Sequence, residues 1–361
     1  VTASFLAGHV ALALVCLVLV VLPFVPTWRE WRRPTDKAPL TIASNYTNDI
    51  DHFARRLRAD AAARLGRDAP TGYEDFNFVP DGAGTGAWTN TAMDWAGAPR
   101  RMISRHDIRD DGAIRCAQPL YVEGSLRAGA GSVFTAVYAT GAIVLGPESE
   151  IHDWAHADGV LRMGRNAAAL RRISSDTEVE LGDEAWFERM NAPTLVFGRP
   201  REAGESEAQA APLPAAVEQV AASYAELPNA VMQTPQLYLV RGDCVLGARR
   251  LYTGSLVVTG RLIIGPATTV VGDIKVRLDL SIGEDAQVQG AITCEQRAYL
   301  FDGVRVLGPL VSENDVLIGT GAVIGLLQSP TTVSARNIIV QAGAVVHGTI
   351  WAHEIGMVKP L

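Results

Sequence analysis

From Val240 to Ile324, every sixth residue but one is apolar. The row runs Val240, Leu246, Tyr252, Val258, Ile264, Val270, Val276, Ile282, Val288, Cys294, Leu300, Val306, Ser312, Ile318 and Ile324. Ser312 is its only polar member. The glycines add a second period. Gly254, Gly272, Gly290 and Gly308 stand eighteen residues apart, as do Gly247, Gly265 and Gly283. Gly319 lies on that second row, and Phe301 fills its gap. Six residues per side and eighteen per turn describe an all-β fold, a β-solenoid of triangular cross-section. Each coil has three short strands, with an apolar residue turned inward on each. Glycine is expected at the corners, where it tolerates φ > 0.

The same period marks an earlier block. Leu145-Gly146, Met163-Gly164 and Leu181-Gly182 are eighteen apart, and Ile143, Leu161 and Val179 precede them by two. Alternation puts both members of each pair inside the coil. Leu195 and Phe197-Gly198 repeat the pattern two residues early. A first solenoid block is therefore expected over 111–198. Residues 199–235 break the period and are rich in Ala, Glu and Pro (Pro200, Pro212, Pro214, Pro228), which predicts a linker with a short helix near Ala215–Tyr224. A second block covers 236–361. Four extra residues around Gln328–Pro330 interrupt it, and Val340 and Val346 then resume the inward row.

Ahead of the blocks, Phe5–Val25 is apolar except for His9 and Pro23. That length predicts one transmembrane helix, and residues 1–37 read as an anchor with a basic flank. The basic residues follow the apolar run: Arg29, Arg32, Arg33 and Lys37. The positive-inside rule then places the bulk of the chain in the cytoplasm. Trp28 and Trp31 suit the interface, and Pro23 and Pro26 mark the end of the span. Residues 38–110 form a connector. Within it, Ile50, Phe53, Leu57, Ala61 and Leu65 predict an amphipathic helix over Asp49–Leu65, capped by Asn48 and Gly66. Arg55, Arg56, Arg58 and Arg64 lie on its polar side. Such a helix either packs on the next domain or lies on an anionic leaflet. Asp49, Asp51 and Asp60 dilute the charge and favour packing. Residues 68–100, rich in Gly, Thr, Asn and Asp, read as an irregular segment with few strands. The mixed-charge run around Arg100–Asp111 reads as a solvated face.

Little in the chain points to chemistry. A net charge of −7 argues against nucleic-acid binding. Cys16, Cys116, Cys244 and Cys294 have no metal-ligand spacing and demand no disulfide, and Cys294 falls on the inward row as a small hydrophobe. His152, Asp153, His156 and Asp158 include a His-x-x-x-His pair, which shares a face on a helix. Here it falls between strands, so these residues read as surface polar groups. The long regular run has no histidine, and His347 and His353 lie at the end of the stack. Outward Asp273, Lys275, Arg277, Asp279, Glu284 and Asp285 are mixed in sign and spread over several sides. No catalytic, cofactor-binding or metal residue is assigned, and no cofactor is expected.

Three segments carry a family resemblance: Ile264-Gly-Pro-Ala-Thr-Thr-Val-Val-Gly272-Asp-Ile274, Ile282-Gly-Glu-Asp-Ala-Gln-Val-Gln-Gly290-Ala-Ile292 and Val340-Gln-Ala-Gly-Ala-Val-Val-His-Gly348-Thr-Ile350. The repeat resembles that of bactofilins, the polymer-forming cytoskeletal proteins of bacteria, over a little more than half the chain. The resemblance implies a right-handed β-helix and self-association through the solenoid ends. It also implies a scaffold at the bacterial inner membrane that organises envelope or polysaccharide-synthesis proteins. The repeat is also similar to that of hexapeptide acyltransferases, which would imply acyl transfer to a membrane-associated sugar with a histidine general base. Those usually carry a small residue two before each inward aliphatic. Leu262, Ile274, Leu280, Ile292, Leu310 and Val316 are bulky there, against Thr268, Ala286, Ala298 and Ala322. The expectation is therefore a non-enzymatic scaffold, with the acyltransferase as the alternative. The chain departs from the bactofilin pattern in having two blocks, a long insertion and a connector of roughly 80 residues. A reversed topology, with the solenoid outside the membrane, is the third reading.

Overall fold

The computed structural model describes residues 2–32, 50–66, 76–79, 95–198 and 219–360. The chain divides into two units, 1–46 and 47–361.

The first unit contains α1 (Thr2–Val21) and α2 (Phe24–Arg32). They are separated at Leu22-Pro23, where proline removes an N–H and disfavours helical backbone in the residue before it. The expected continuous span is thus interrupted. Among the described residues, no helix is long and apolar enough to cross a membrane. The side chains of Leu12, Leu14, Leu17, Leu19, Leu22 and Phe24 are exposed. The Arg32 guanidinium lies 4.5 Å from the centre of the Trp28 ring. Arg33, Lys37, Asn48 and Asp49 lie outside the described residues.

The second unit is an all-β solenoid whose strands form one continuous sheet. All fifteen members of the six-residue row are buried. Ser312 is accommodated because its hydroxyl donates to the Gln296 carbonyl at 2.6 Å, so this buried hydroxyl is paired. The alternate inward positions Leu256, Leu262, Ile274, Leu280, Ile292 and Leu310 are buried as well. Bulky pairs on each strand therefore fill the coil. Ladders between coils are parallel with a step of eighteen: Val240 pairs with Val258, Leu246 with Ile264, and Val270 with Val288. After Ile324 the step becomes twenty-two, with Ile318 opposite Val340 and Ile324 opposite Val346. The four extra residues form a turn closed by Leu326 and Ser329.

The glycine rows serve a purpose other than the expected one along the 247–319 line. A Cβ on Gly265 would lie 2.5 Å from the backbone nitrogen of Ala248 in the preceding coil. That row is small because adjacent coils approach closely there. One corner with φ > 0 runs through Arg249, Ala267, Asp285, Gly303 and Gly321, mostly without glycine, whereas on the other glycine row Gly254 (φ 110°) and Gly272 (φ 154°) take the expected role.

The first block extends further toward the N-terminus than residue 111. Strand Phe76–Phe78 pairs with Arg101–Ser104, and Ile108–Asp110 pairs with Leu126–Ala128. Met102, Ile103 and Ile108 are buried among the charges of that run. Its charged residues face outward while its apolar ones build coils. Ile143, Leu161, Val179 and Leu195 stack in register as expected.

α3 (His52–Leu65) confirms the amphipathic helix, with Asp51 rather than Asn48 at its N-cap and Gly66 at its C-cap. Ala54, Leu57 and Ala61 pack against Phe76, Ile103, Tyr121 and Tyr138 of the first block. Phe53, expected on the buried face, is exposed and lies under the Arg172 guanidinium. Asp60 accepts from Arg101 at 2.8 Å. The helix is packed on the solenoid, the reading its diluted charge favours.

The two blocks are joined end to end. The strand that closes the first, Trp186–Phe197, pairs antiparallel with the strand that closes the second, Val345–Lys359. Pairings fall on all three sides of the coil: Phe187 with Gly356, Met190 with Ile350, and Leu195 with Val346. The C-terminal ends of both blocks thus cover each other, and one apolar core runs through both. Residues 199–218 of the expected linker lie outside the described residues. Its remainder belongs to the second block, as strand Val220–Ala222, a short 3-10 turn at Tyr224–Glu226 and strand Ala230–Thr234. No α-helix occurs in the described part of Ala215–Tyr224.

Candidate functional site

The densest group of chemically capable side chains lies where α3 meets the first block. Tyr121, Tyr138, His156 and Ser174 occupy equivalent positions on successive coils and form a ladder. Tyr121 and Tyr138 stack at 5.4 Å, and the Tyr138 and His156 rings are 5.3 Å apart. Two residues beyond His156 and Ser174, Asp158 and Asp176 take equivalent corner positions one coil apart. The Tyr138 hydroxyl donates to Asp158 Oδ1 at 2.5 Å. Arg58, from α3, lies 3.5 Å from Asp158 Oδ2 and 5.8 Å from the centre of the Tyr138 ring.

His156 is buried, and its Nδ1 is 2.8 Å from Ser174 Oγ. Its Nε2 faces Asp158 Oδ1 at 3.5 Å and Asp176 Oδ1 at 3.7 Å. Desolvation dominates its titration and lowers its pKa below the ordinary histidine value. Asp176, Asp158 and Asp51 pull the other way, and Arg58 adds to the lowering. At neutral pH this ring is uncharged. Burial and the bond to Asp158 raise the Tyr138 phenol well above its usual range, so it remains a donor.

The structure separates the sequence candidates. His156 and Asp158 come together, joined by Asp176. His152 turns away to Glu150, at 2.9 Å, and Asp153 lies 4.0 Å from Arg171. Asp176 and Ser174 escaped the sequence reading, although each sits eighteen residues after its partner, the coil period itself. His347 lies at the junction between blocks, with Nδ1 3.0 Å from the Pro193 carbonyl. His353 is 3.1 Å from Ser334 Oγ, with its ring 4.2 Å from Trp351. Among the described residues, the hydrogen-bond partners of both are neutral. Two surface grooves on the second block, one around Tyr299, Phe301 and Gln341 and one around Leu237, Val257 and Lys275, are lined without histidine.

The other capable features are the outward ends of the rod. At the end formed by the second block, Tyr224 is buried and stacks on Tyr252 at 5.0 Å, closing the core. Beside it, strand Ala230–Thr234 pairs antiparallel with Leu237–Val240, its single ladder partner among the described residues. That strand exposes Val231 and Met232, and neighbouring Val220 is exposed too. An apolar edge strand of this kind is a template for a further strand.

No protein-family model, characterised protein or solved structure matches the chain.

Proposed function

We propose that the chain is a membrane-held scaffold that self-associates through the outward ends of its joined solenoids. The observation that carries this reading is the junction inside the chain. There, two coil ends already pair edge to edge on all three sides. An end of this solenoid is therefore a competent surface for another end. The exposed Val231 and Met232 give the remaining second-block end the same character.

The apolar surface of α1 supports attachment to a membrane, since a helix that exposes leucine all round needs a non-aqueous neighbour. Arg29, Arg32 and Trp28 on α2 suit the boundary with headgroups. We take the protein to be held at the bacterial inner membrane through this N-terminal unit, with its bulk in the cytoplasm. Confinement to a surface would raise the effective concentration of the ends. The bactofilin resemblance supplies the right hand of the coils and the envelope or polysaccharide-synthesis partners. Both grooves lack a histidine base, which favours the scaffold over the hexapeptide acyltransferase.

Sedimentation of the full chain in detergent tests the reading. Concentration-dependent species larger than the monomer are expected, and Val231→Glu with Met232→Glu should abolish them. A monomer at all concentrations, or oligomers indifferent to the double substitution, would sink it. A reporter enzyme fused to the C-terminus tests the topology; activity only in the periplasm would reverse it.

A further inference from the structure

We infer that His156, Asp158 and Asp176 form a binding site for a divalent transition-metal ion of the zinc class. Their ligand atoms lie within 4.8 Å of one another. The Nε2–Oδ1 separations of 3.5 and 3.7 Å are too long for hydrogen bonds. They match two donors sharing one ion, since ligands about 2.1 Å from a tetrahedral metal lie roughly 3.4 Å apart. Nε2 of the buried His156 is therefore aimed between two carboxylates with neither in hydrogen-bonding range.

The surroundings complete the chemistry. Ser174 Oγ can accept from Nδ1–H, which fixes the tautomer whose Nε2 lone pair points to the metal. Tyr138 holds one ligating carboxylate by its hydroxyl, and Arg58 holds the same group from α3. Among the described residues, the carboxylates of Asp158 and Asp176 face a single guanidinium there, that of Arg58, which leaves an excess of negative charge that a cation offsets. One imidazole and two carboxylates suit zinc-class ions better than calcium or magnesium, which prefer all-oxygen sets. Asp176 is exposed on its corner, so it can close on the ion without disturbing the core. The ion would tie two successive coils together directly beneath α3.

Calorimetric titration of the full chain in detergent with zinc chloride tests this. One saturable site per chain is expected. Asp176→Asn removes a ligand at an exposed position, so the variant should fold normally and bind at least about tenfold more weakly. Ser174→Ala should also weaken binding, by mis-orienting the ring. His152→Ala should bind like the parent. Absence of a saturable site, unchanged affinity in Asp176→Asn, or tighter binding of calcium than of zinc would overturn the assignment.

Discussion

Gly356 stands where the two blocks touch, and a Cβ there would lie 2.4 Å from both the ring and the carbonyl oxygen of Phe187. Gly356→Ala should lower stability by roughly 1–3 kcal/mol through overpacking, read as a lowered midpoint in urea. Gly247→Ala is the control. Its nearest neighbour would be the flexible Arg250 side chain at 3.7 Å, and the change should stay within about 0.5 kcal/mol. Equal effects would contradict the packing at the junction. Burial pushes the Cys116 and Cys244 thiols up to about 11. At pH 8 only about one in a thousand of these groups is then thiolate, so iodoacetamide should label them slowly until the protein is unfolded. Rapid labelling of the folded protein at any cysteine other than the exposed Cys16 would argue against their burial. The inward row was legible in the sequence because a period of six survives any outward substitution. The His156 group was legible only by half. Asp158 and Asp176 share the coil period, whereas Arg58 reaches the group from a helix far back in the chain.

At the scale of elements, α3 is held by a small apolar contact with Leu57 at its centre. Leu57→Asp should release the helix at a cost of roughly 2–5 kcal/mol to its docking. Hydrogen exchange would then rise along 52–65 while the coils of the second block remain protected. Fast exchange throughout both blocks would contradict a locally docked helix. The turn after Ile324 is a surface insertion that changes the ladder step from eighteen to twenty-two. Deleting Leu327–Pro330 restores the regular step. It should leave the thermal midpoint within a few degrees, since loop length has only a weak effect on closure entropy. This insertion could be located from sequence because the row resumes intact beyond it. The early strands between 76 and 110 could not. They are three or four residues long, and across the run 100–111 the charged residues outnumber the inward apolar Met102, Ile103 and Ile108.

For the whole molecule, the arrangement of the blocks was hidden from the sequence. Trp186 pairs with Met357 across most of the second half of the chain, and no period links such distant strands. The only hint was the pair Leu195 and Phe197 arriving two residues early, in the strand that closes the first block. Because the C-terminal ends meet, residues 199–218 connect the junction to the far end of the second block. Six ladder steps of about 4.8 Å make that distance on the order of 30 Å, and twenty extended residues reach about twice as far. The connection is sterically easy, and it leaves the first coils of both blocks as the outward ends. Negative-stain electron microscopy of the purified full chain measures the consequence directly. Rods joined end to end are expected for the natural sequence, and single rods for Val231→Glu with Met232→Glu at the same concentration. Single rods in both preparations, or joined rods in both, would contradict association through these ends.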